Sequence, residues 1–224
     1  MKKSNIILEV MDLRNIYYIG GSPCSGKSTI AEMICEKYGF QYFKADDFLM
    51  DFIAKGAEDG NKLLKHISDM SLDQLWLREP AILHDEEMLI YKSIYPYFSD
   101  AINKLDEALP IIAEGAAFLP AFMNEIGVPQ NHYVCVAPSK DFQFKHYSDR
   151  EWVNDYLSAC SNKEKALNNW MERDALFALS VLDQAIERGY PTIIVDGTKS
   201  IEENFKLVLG GIQVVSTEGC YVSR

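Results

Sequence analysis

The sequence lacks the features that mark membrane-bound and disulfide-stabilised proteins. None of its apolar runs approaches the roughly 18 residues that a helix needs to span a bilayer, and Glu9, Asp12 and Arg14 interrupt the N-terminal segment before a signal-like run is long enough. The five cysteines form no CxxC pair and are odd in number, which argues against a zinc ribbon and against a complete disulfide framework. We therefore expect a soluble, cytoplasmic protein with reduced thiols and no membrane partner.

Basic residues are also scarce. The 224 residues include 22 Lys and Arg against 33 Asp and Glu, a formal net charge of −11, and only six of the basic residues are arginines. Sequence-independent binding to a phosphate backbone requires many basic residues, so we expect no nucleic-acid partner. By contrast, 48% of the residues are hydrophobic and 12% are aromatic, which is enough for a folded core and excludes a disordered chain.

Short apolar segments alternate with segments of helical period along the chain. Each apolar segment is rich in β-branched or aromatic residues and is too short for a buried helix. These predicted strands are residues 15–19, 40–43, 111–113, 132–136 and 192–195. Helices are predicted at residues 27–38 and at about 163–189. The alternation predicts an α/β fold with a doubly wound, five-stranded parallel sheet that helices cover on both faces.

The interval between the second and third strands is unusually long. Residues 44–110 are too many for a loop, and they carry helical signal at 71–77 and 86–105, with Pro80 and Pro96 as expected breaks. We therefore predict a single domain over residues 1–224 with a helical insertion at about 47–109. In an open α/β sheet such an insertion lies over the carboxyl ends of the strands, where ligands bind.

One motif indicates the class of ligand. The segment after the first predicted strand matches GxxxxGK[ST] and leads directly into the first predicted helix. It consists of Gly21, Ser22, Pro23, Cys24, Ser25, Gly26, Lys27, Ser28 and Thr29. In such a loop the backbone N–H groups surround phosphates, Lys27 reaches the β and γ phosphates, and Ser28 offers its hydroxyl to Mg²⁺.

Carboxylates follow the second and third predicted strands. Asp46 and Asp47 come after the second strand, and Glu114 ends the third. An aspartate there can accept the proton of an attacking hydroxyl or help to order the metal. Asp is also a favoured N-cap, so we expect one of the pair to cap a helix and the other to face the substrate. Glu114 is expected to hold a magnesium water, with a surface carboxylate as the alternative.

A second string has a nucleotide-related pattern. Residues 103–106 read NKLD, which fits the guanine signature NKxD of GTPases. The string lies in a polar helical stretch rather than after an apolar strand, so we interpret it as a solvated helix face.

Together these features resemble the P-loop nucleotide and small-molecule kinase family, in particular the nucleoside, nucleoside-monophosphate and zeta-toxin-like kinases. The resemblance rests on the phosphate loop, the residues after strands two and three, and residues 195–203, VDGTKSIEE. It implies ATP and Mg²⁺ as cofactors, with the segment around Gly197, Thr198 and Lys199 passing under the adenine and reading the base through its backbone. It also implies a lid, at about residues 147–172, whose arginines close on the transferring phosphate.

Two arginines are candidates for that lid. Phosphoryl transfer requires positive charge near the developing negative oxygens, and Arg150 and Arg173 flank the polar stretch where the family's lid lies. Arg173 is predicted to face away from the apolar stripe of its helix, either as a solvated partner of another residue or as a lid arginine. We expect one of the two to act on the phosphate.

The insertion is poor in arginine. Residues 44–110 contain only Arg78, whereas monophosphate kinases of the family grip the acceptor's phosphate with arginines from this segment. A neutral hydroxyl acceptor, such as a nucleoside, fits this composition better. We therefore expect an ATP-dependent small-molecule kinase, with a nucleoside-monophosphate kinase and an ATP-binding regulator or partner-coupled ATPase as alternatives. The sequence leaves the oligomeric state open.

Overall fold

Strands and helices alternate along the chain, of which the computed structural model describes residues 16–148 and 151–213. The strands are β1 (Ile16–Gly21), β2 (Gln41–Lys44), β3 (Ile111–Glu114), β4 (Tyr133–Pro138) and β5 (Thr192–Val195). The helices are α1 (Lys27–Tyr38), α2 (Leu49–Glu58), α3 (Lys62–Ser68), α4 (Leu72–Trp76), α5 (Pro80–Ile102), α6 (Pro120–Glu125), α7 (Lys140–Ser148), α8 (Glu151–Tyr156), α9 (Lys163–Glu187) and α10 (Ile201–Ile212).

The five strands form one parallel sheet in the order β2-β3-β1-β4-β5. The central strand β1 pairs with β3 on one side and β4 on the other, so that Ile19 lies level with Glu114 and with Val134. The carboxyl ends of the strands therefore meet at one edge of the sheet. This arrangement confirms the predicted doubly wound, five-stranded α/β fold, with predicted strand ends displaced by at most two residues.

Helices cover both faces of the sheet because the strands are apolar on both faces. Tyr18 of β1 belongs to a core that includes residues of α5 and α9. Its neighbour Ile19 belongs to a second core on the other face, which includes residues of α1 and α10. Successive strand residues point to opposite faces, so one central strand contributes to both cores.

The long interval between β2 and β3 contains α2, α3, α4 and α5. Sequence periodicity predicted the last two of these and missed α2 and α3. The expected break at Pro96 is wrong, because α5 continues through it to Ile102. Pro96 lies on the exposed face of α5, whereas Ile94 and Phe98 are fully buried. Burial of that opposite face outweighs the hydrogen bond that proline removes.

No helix in the described ranges is both long and apolar enough to cross a membrane.

Candidate active site

The chain turns sharply where β1 passes into the phosphate loop, residues 21–29. Gly21 has a φ of 123°, and a Cβ atom there would lie 1.9 Å from the carbonyl oxygen of Val136. The Ser22 N–H donates to the same carbonyl over 3.2 Å. Gly26, with a φ of 78°, precedes α1, and no described side chain caps the N-terminus of that helix. The first N–H groups of α1 are therefore open to phosphate oxygens.

Lys27 is buried and folds back onto the phosphate loop. Its ammonium group donates to the Ser22 carbonyl over 2.7 Å and to the Ser25 hydroxyl over 3.3 Å. The Ser25 hydroxyl in turn donates to the Ser22 carbonyl over 2.9 Å. The loop thus holds one positive charge at its centre, on a flexible side chain that can exchange these contacts for phosphate oxygens.

The structure brings Glu114 and Ser28 together beside the loop. The Ser28 hydroxyl and the Tyr42 hydroxyl each donate to Oε2 of Glu114 over 3.1 Å. Glu114 is only 1% exposed. Burial raises its pKa, the positive charge of Lys27 opposes that shift, and the carboxylate of Asp46 adds to it.

This donor set fits Mg²⁺. The ion prefers oxygen ligands and usually takes one or two protein oxygens together with waters and substrate phosphates. Within the part of the chain that the structure describes, no group of three His, Cys, Asp or Glu side chains could hold a metal alone. Ser28 and Glu114 would therefore hold the ion jointly with a nucleotide.

Asp46 and Asp47 have different surroundings. Both lie in a 3₁₀ turn, Ala45–Phe48, that leads directly into α2. The expected N-cap is wrong, since α2 begins at Leu49 and no described side chain caps it. Asp46 lines a cavity beside the phosphate loop. Both residues are exposed, but Asp47 does not line that cavity, and its carboxylate lies 3.9 Å from the ammonium group of Lys44.

That cavity, here called the acceptor cavity, has a volume of about 620 Å³. Its wall begins at Pro23, Lys27 and Asp46 and continues over the four helices of the insertion to α7, α8 and α9. Most of its lining residues are aliphatic or aromatic. The volume lies within the range of about 300–1,000 Å³ that is usual for small-molecule sites.

Two stacked tryptophans form part of the wall of the acceptor cavity. The rings of Trp76 on α4 and Trp170 on α9 stack with centroids 4.4 Å apart. Beside them, the Asn169 amide donates to the main-chain carbonyls of Trp76 over 2.9 Å and Arg78 over 2.8 Å. The guanidinium carbon of Arg173 lies 5.0 Å from the ring centroid of Trp76. These contacts tie the insertion to α9.

Arg173 is the centre of a buried charge network. Its guanidinium lies 3.1 Å from Oε1 of Glu87 and 2.6 Å from Oδ1 of Asp174. The Tyr91 hydroxyl donates to Glu87 over 2.8 Å, and the Tyr147 hydroxyl donates to Asp174. Burial raises the pKa of Glu87 to about 7, against the lowering effect of Arg173 and with the help of Asp174. One guanidinium group thus forms ion pairs with two buried carboxylates.

Arg78 and Glu86 form a second ion pair in the same wall. Nη1 of Arg78 lies 2.8 Å from Oε1 and 2.7 Å from Oε2 of Glu86. Arg78 is the one arginine that the sequence places in the insertion, and the structure places it against the acceptor cavity.

A second cavity of about 330 Å³ lies on the other side of the phosphate loop. Its lining includes Cys24, Ser25, Gly26 and Lys199. The predicted base-reading segment and the phosphate loop therefore share a wall.

The turn between β5 and α10 is held by its own side chains. Oδ1 of Asp196 accepts the N–H of Thr198 over 2.9 Å and its hydroxyl over 2.6 Å. Gly197 has a φ of 86°. Ser200 and Glu203 form a capping box at the start of α10.

The structure separates the predicted catalytic residues. Lys27, Asp46 and Arg173 line the acceptor cavity, whereas Asp47 does not. Arg150 lies outside the described residues. Of the two alternatives for Arg173, the solvated partner is wrong, because its side chain is 13% exposed and paired with carboxylates. Its role as a lid arginine stays a prediction.

Sequence reasoning missed Glu86, Glu87 and Asn169. A signal for Glu87 was present, since it falls on the buried stripe of α5 with Leu83 and Tyr91. A carboxylate on an apolar stripe indicates a buried charge that needs a partner.

The NKLD string lies away from this site, and the interpretation as a helix face is wrong, because α5 ends at Ile102 and residues 103–106 form a turn. Its segment follows the end of α5, and the side-chain amide of Gln41 donates to the carbonyl of Asp106 over 2.6 Å. Gln41 is the first residue of β2, so the string lies near the amino ends of the strands, opposite the phosphate loop. A guanine-binding role is excluded by this position.

No protein-family model matches the chain. A 55-residue segment is 38% identical to adenylate kinase isoenzyme 1 of Cyprinus carpio, and this segment covers 25% of the chain and 28% of that relative. Among solved structures, the chain is similar to TT1252 from Thermus thermophilus, with a TM-score of 0.47 and 16% identity over 88% of this chain and 95% of that one. It is also similar to dephospho-CoA kinase from Campylobacter jejuni, with a TM-score of 0.42 and 18% identity over 90% and 97% of the two chains.

The chain thus spans little more than a quarter of the curated relative's length. The predicted resemblance to P-loop kinases is confirmed at the level of the fold, in a parallel sheet whose central strand leads into the phosphate loop. The activity and the acceptor have to be inferred from the geometry of the site.

Proposed function

We propose that this protein is an ATP- and Mg²⁺-dependent kinase that transfers a phosphoryl group to a hydroxyl group of a small molecule. The observation that carries the proposal is the continuity of one cavity, because Lys27 of the phosphate loop and Asp46 line the same cavity as the helical insertion. A nucleotide on the loop would have its terminal phosphate next to an acceptor in that cavity.

Residues of the chain can be assigned to the steps of this transfer. Lys27 would exchange its contact with the Ser22 carbonyl for oxygens of the γ-phosphate and stabilise the negative charge that develops there. Asp46 would accept the proton of the acceptor hydroxyl while that oxygen bonds to the γ-phosphorus and the bond to the leaving ADP oxygen breaks. Mg²⁺ beside Ser28 and Glu114 would add positive charge to the phosphate oxygens.

A nucleoside-monophosphate kinase is the second candidate. The local similarity to an adenylate kinase favours it. The charge pattern of the acceptor cavity favours a neutral acceptor, because Arg78 and Arg173 already face carboxylates.

The first test is ADP formation from ATP and Mg²⁺ with a panel of nucleosides, nucleoside monophosphates and sugars. We expect acceptor-dependent ADP release that falls at least about a hundredfold in Lys27→Met, since stabilisation of the γ-phosphoryl group is the main catalytic effect. ADP release that needs no acceptor would instead indicate a partner-coupled ATPase. An undiminished rate in Lys27→Met would refute the kinase proposal.

The neighbouring aspartates provide a matched pair for the second test. We expect Asp46→Asn to lower kcat about 10²–10⁴-fold with little change in ATP affinity, as for a general base. Asp47→Asn makes the same chemical change at a neighbouring residue that does not line the cavity, and this variant should remain near the wild-type rate. Equal effects of the two substitutions would remove Asp46 from the mechanism.

A further inference from the structure

Both arginines in the wall of the acceptor cavity are neutralised from within the protein. Arg78 is paired with Glu86, with both carboxylate oxygens within 2.8 Å of one guanidinium nitrogen. Arg173 is paired with Glu87 at 3.1 Å and with Asp174 at 2.6 Å. Glu86 and Glu87 are consecutive residues of α5, and both line the cavity.

The resulting charge balance disfavours an acceptor that carries phosphate. Apart from Lys27, which belongs to the phosphate loop, the charged lining residues are Arg78, Arg173, Asp46, Glu86 and Glu87. Carboxylates therefore outnumber guanidinium groups. A phosphate placed against Arg78 would also lie beside the carboxylate of Glu86, and repulsion would offset the attraction.

The rest of the lining suits an uncharged ligand. Most of the residues that line the cavity are aliphatic or aromatic. A neutral polar ligand brings no net charge into such a lining.

We infer that Glu86 and Glu87 determine acceptor specificity: by neutralising Arg78 and Arg173 they exclude phosphate-bearing acceptors and admit uncharged alcohols of nucleoside size. This inference rests on the proposed kinase function. The competing explanation is a structural ion pair, because a buried arginine needs a counter-charge in any cavity. The two explanations predict different ligand affinities for a variant in which a carboxylate is neutralised without a change of shape.

The test is the substitution Glu86→Gln, with binding measured by calorimetry for uridine and for uridine 5′-monophosphate. ADP and Mg²⁺ are present at saturation so that the phosphate loop is filled. We expect Glu86→Gln to bind the monophosphate at least about tenfold more tightly than the wild type does, because Arg78 then carries an uncompensated charge. Affinity for uridine should change much less. A structural ion pair that lies out of the ligand's reach predicts no gain for the monophosphate.

Asp85→Asn is the matched control. It removes one negative charge from the same helix, one residue away, but the Asp85 side chain is 78% exposed and does not line the cavity. Equal monophosphate binding by Glu86→Gln and Asp85→Asn, or tighter binding of the monophosphate than of uridine by the wild type, would overturn the inference.

Glu87→Gln is the second variant, in case Glu86→Gln does not fold. We expect a smaller gain for the monophosphate, because Asp174 still faces Arg173. No gain relative to Asp85→Asn would overturn the inference here too. Failure of the kinase proposal has a separate signature, which is the absence of ADP binding and of acceptor-dependent ADP release in the wild type.

Discussion

Replacement of Asn169 by alanine should separate the insertion from α9 and destabilise the protein. Asn169 is buried, and its amide donates to two main-chain carbonyls, those of Trp76 and Arg78. A typical hydrogen bond contributes about 1 kcal/mol net, and a buried carbonyl left without a donor costs about 1–3 kcal/mol. Alanine is a better helix former than asparagine, and this difference offsets about 0.5 kcal/mol of the loss. We therefore expect Asn169→Ala to lower the free energy of unfolding by about 2–3 kcal/mol.

Asn168→Ala is the control for this prediction, because Asn168 is the preceding residue of α9 and is exposed. Urea unfolding of both variants, followed by tryptophan fluorescence, measures the difference directly, since Trp76 and Trp170 stack beside Asn169. The expected loss corresponds to a fall in Tm of roughly 5–10 °C for a domain of this size. If the two variants unfold within about 0.5 kcal/mol of each other, the hydrogen bonds of Asn169 do not hold the insertion in place.

Two further predictions concern pH and the nucleotide base. Because burial raises the pKa of Glu87 from 4.5 to about 7, its stabilising contribution is present below pH 4.5 and is lost as the pH rises through 7. The free energy of unfolding of Glu87→Gln, relative to that of the wild type, should therefore rise by about 2–3 kcal/mol from about pH 5 to pH 8 in urea unfolding. A difference between the two proteins that is constant with pH would contradict the assignment. Gly197 has a φ of 86° and a Cβ there would lie 3.1 Å from the ring of Phe142, so Gly197→Val should weaken ATP about tenfold, the equivalent of one or two hydrogen bonds. Inorganic triphosphate should bind as before, and equal losses for ATP, GTP and triphosphate would show that this turn does not read the base.

The elements that sequence predicted well are those whose pattern is local. Residues 27–38 form α1 as predicted, because the phosphate-loop motif fixes its start and Gly39 ends it in a left-handed conformation. Strands β3 and β5 were recognised from short β-branched runs bounded by proline, glycine or aspartate. The phosphate loop itself could be identified because its glycines, lysine and hydroxyls are adjacent in the chain.

The features that sequence missed depend on contacts between distant segments. The break expected at Pro96 did not occur because its cost depends on which face of α5 is buried. Sequence reasoning did not identify Glu87 as a charge partner of Arg173, because the two residues are far apart in the chain. Glu87 lies on α5 and Arg173 on α9, and β3 and β4 come between these two helices. Asp46 and Asp47 look alike in sequence, and only the 3₁₀ turn places one beside the cavity and the other near Lys44.

Asp174 has a consequence for the thermodynamics of binding. Its main-chain carbonyl accepts the hydroxyl of Ser22 in the phosphate loop over 3.3 Å, and its side chain holds Arg173 in the wall of the acceptor cavity. One residue of α9 therefore contacts both the phosphate loop and an arginine in the wall of the acceptor cavity. If a ligand on the loop displaces Asp174, the affinity of the acceptor cavity changes as well, and thermodynamic linkage requires the two affinities to change by the same factor. The two sites would then communicate through this residue of α9.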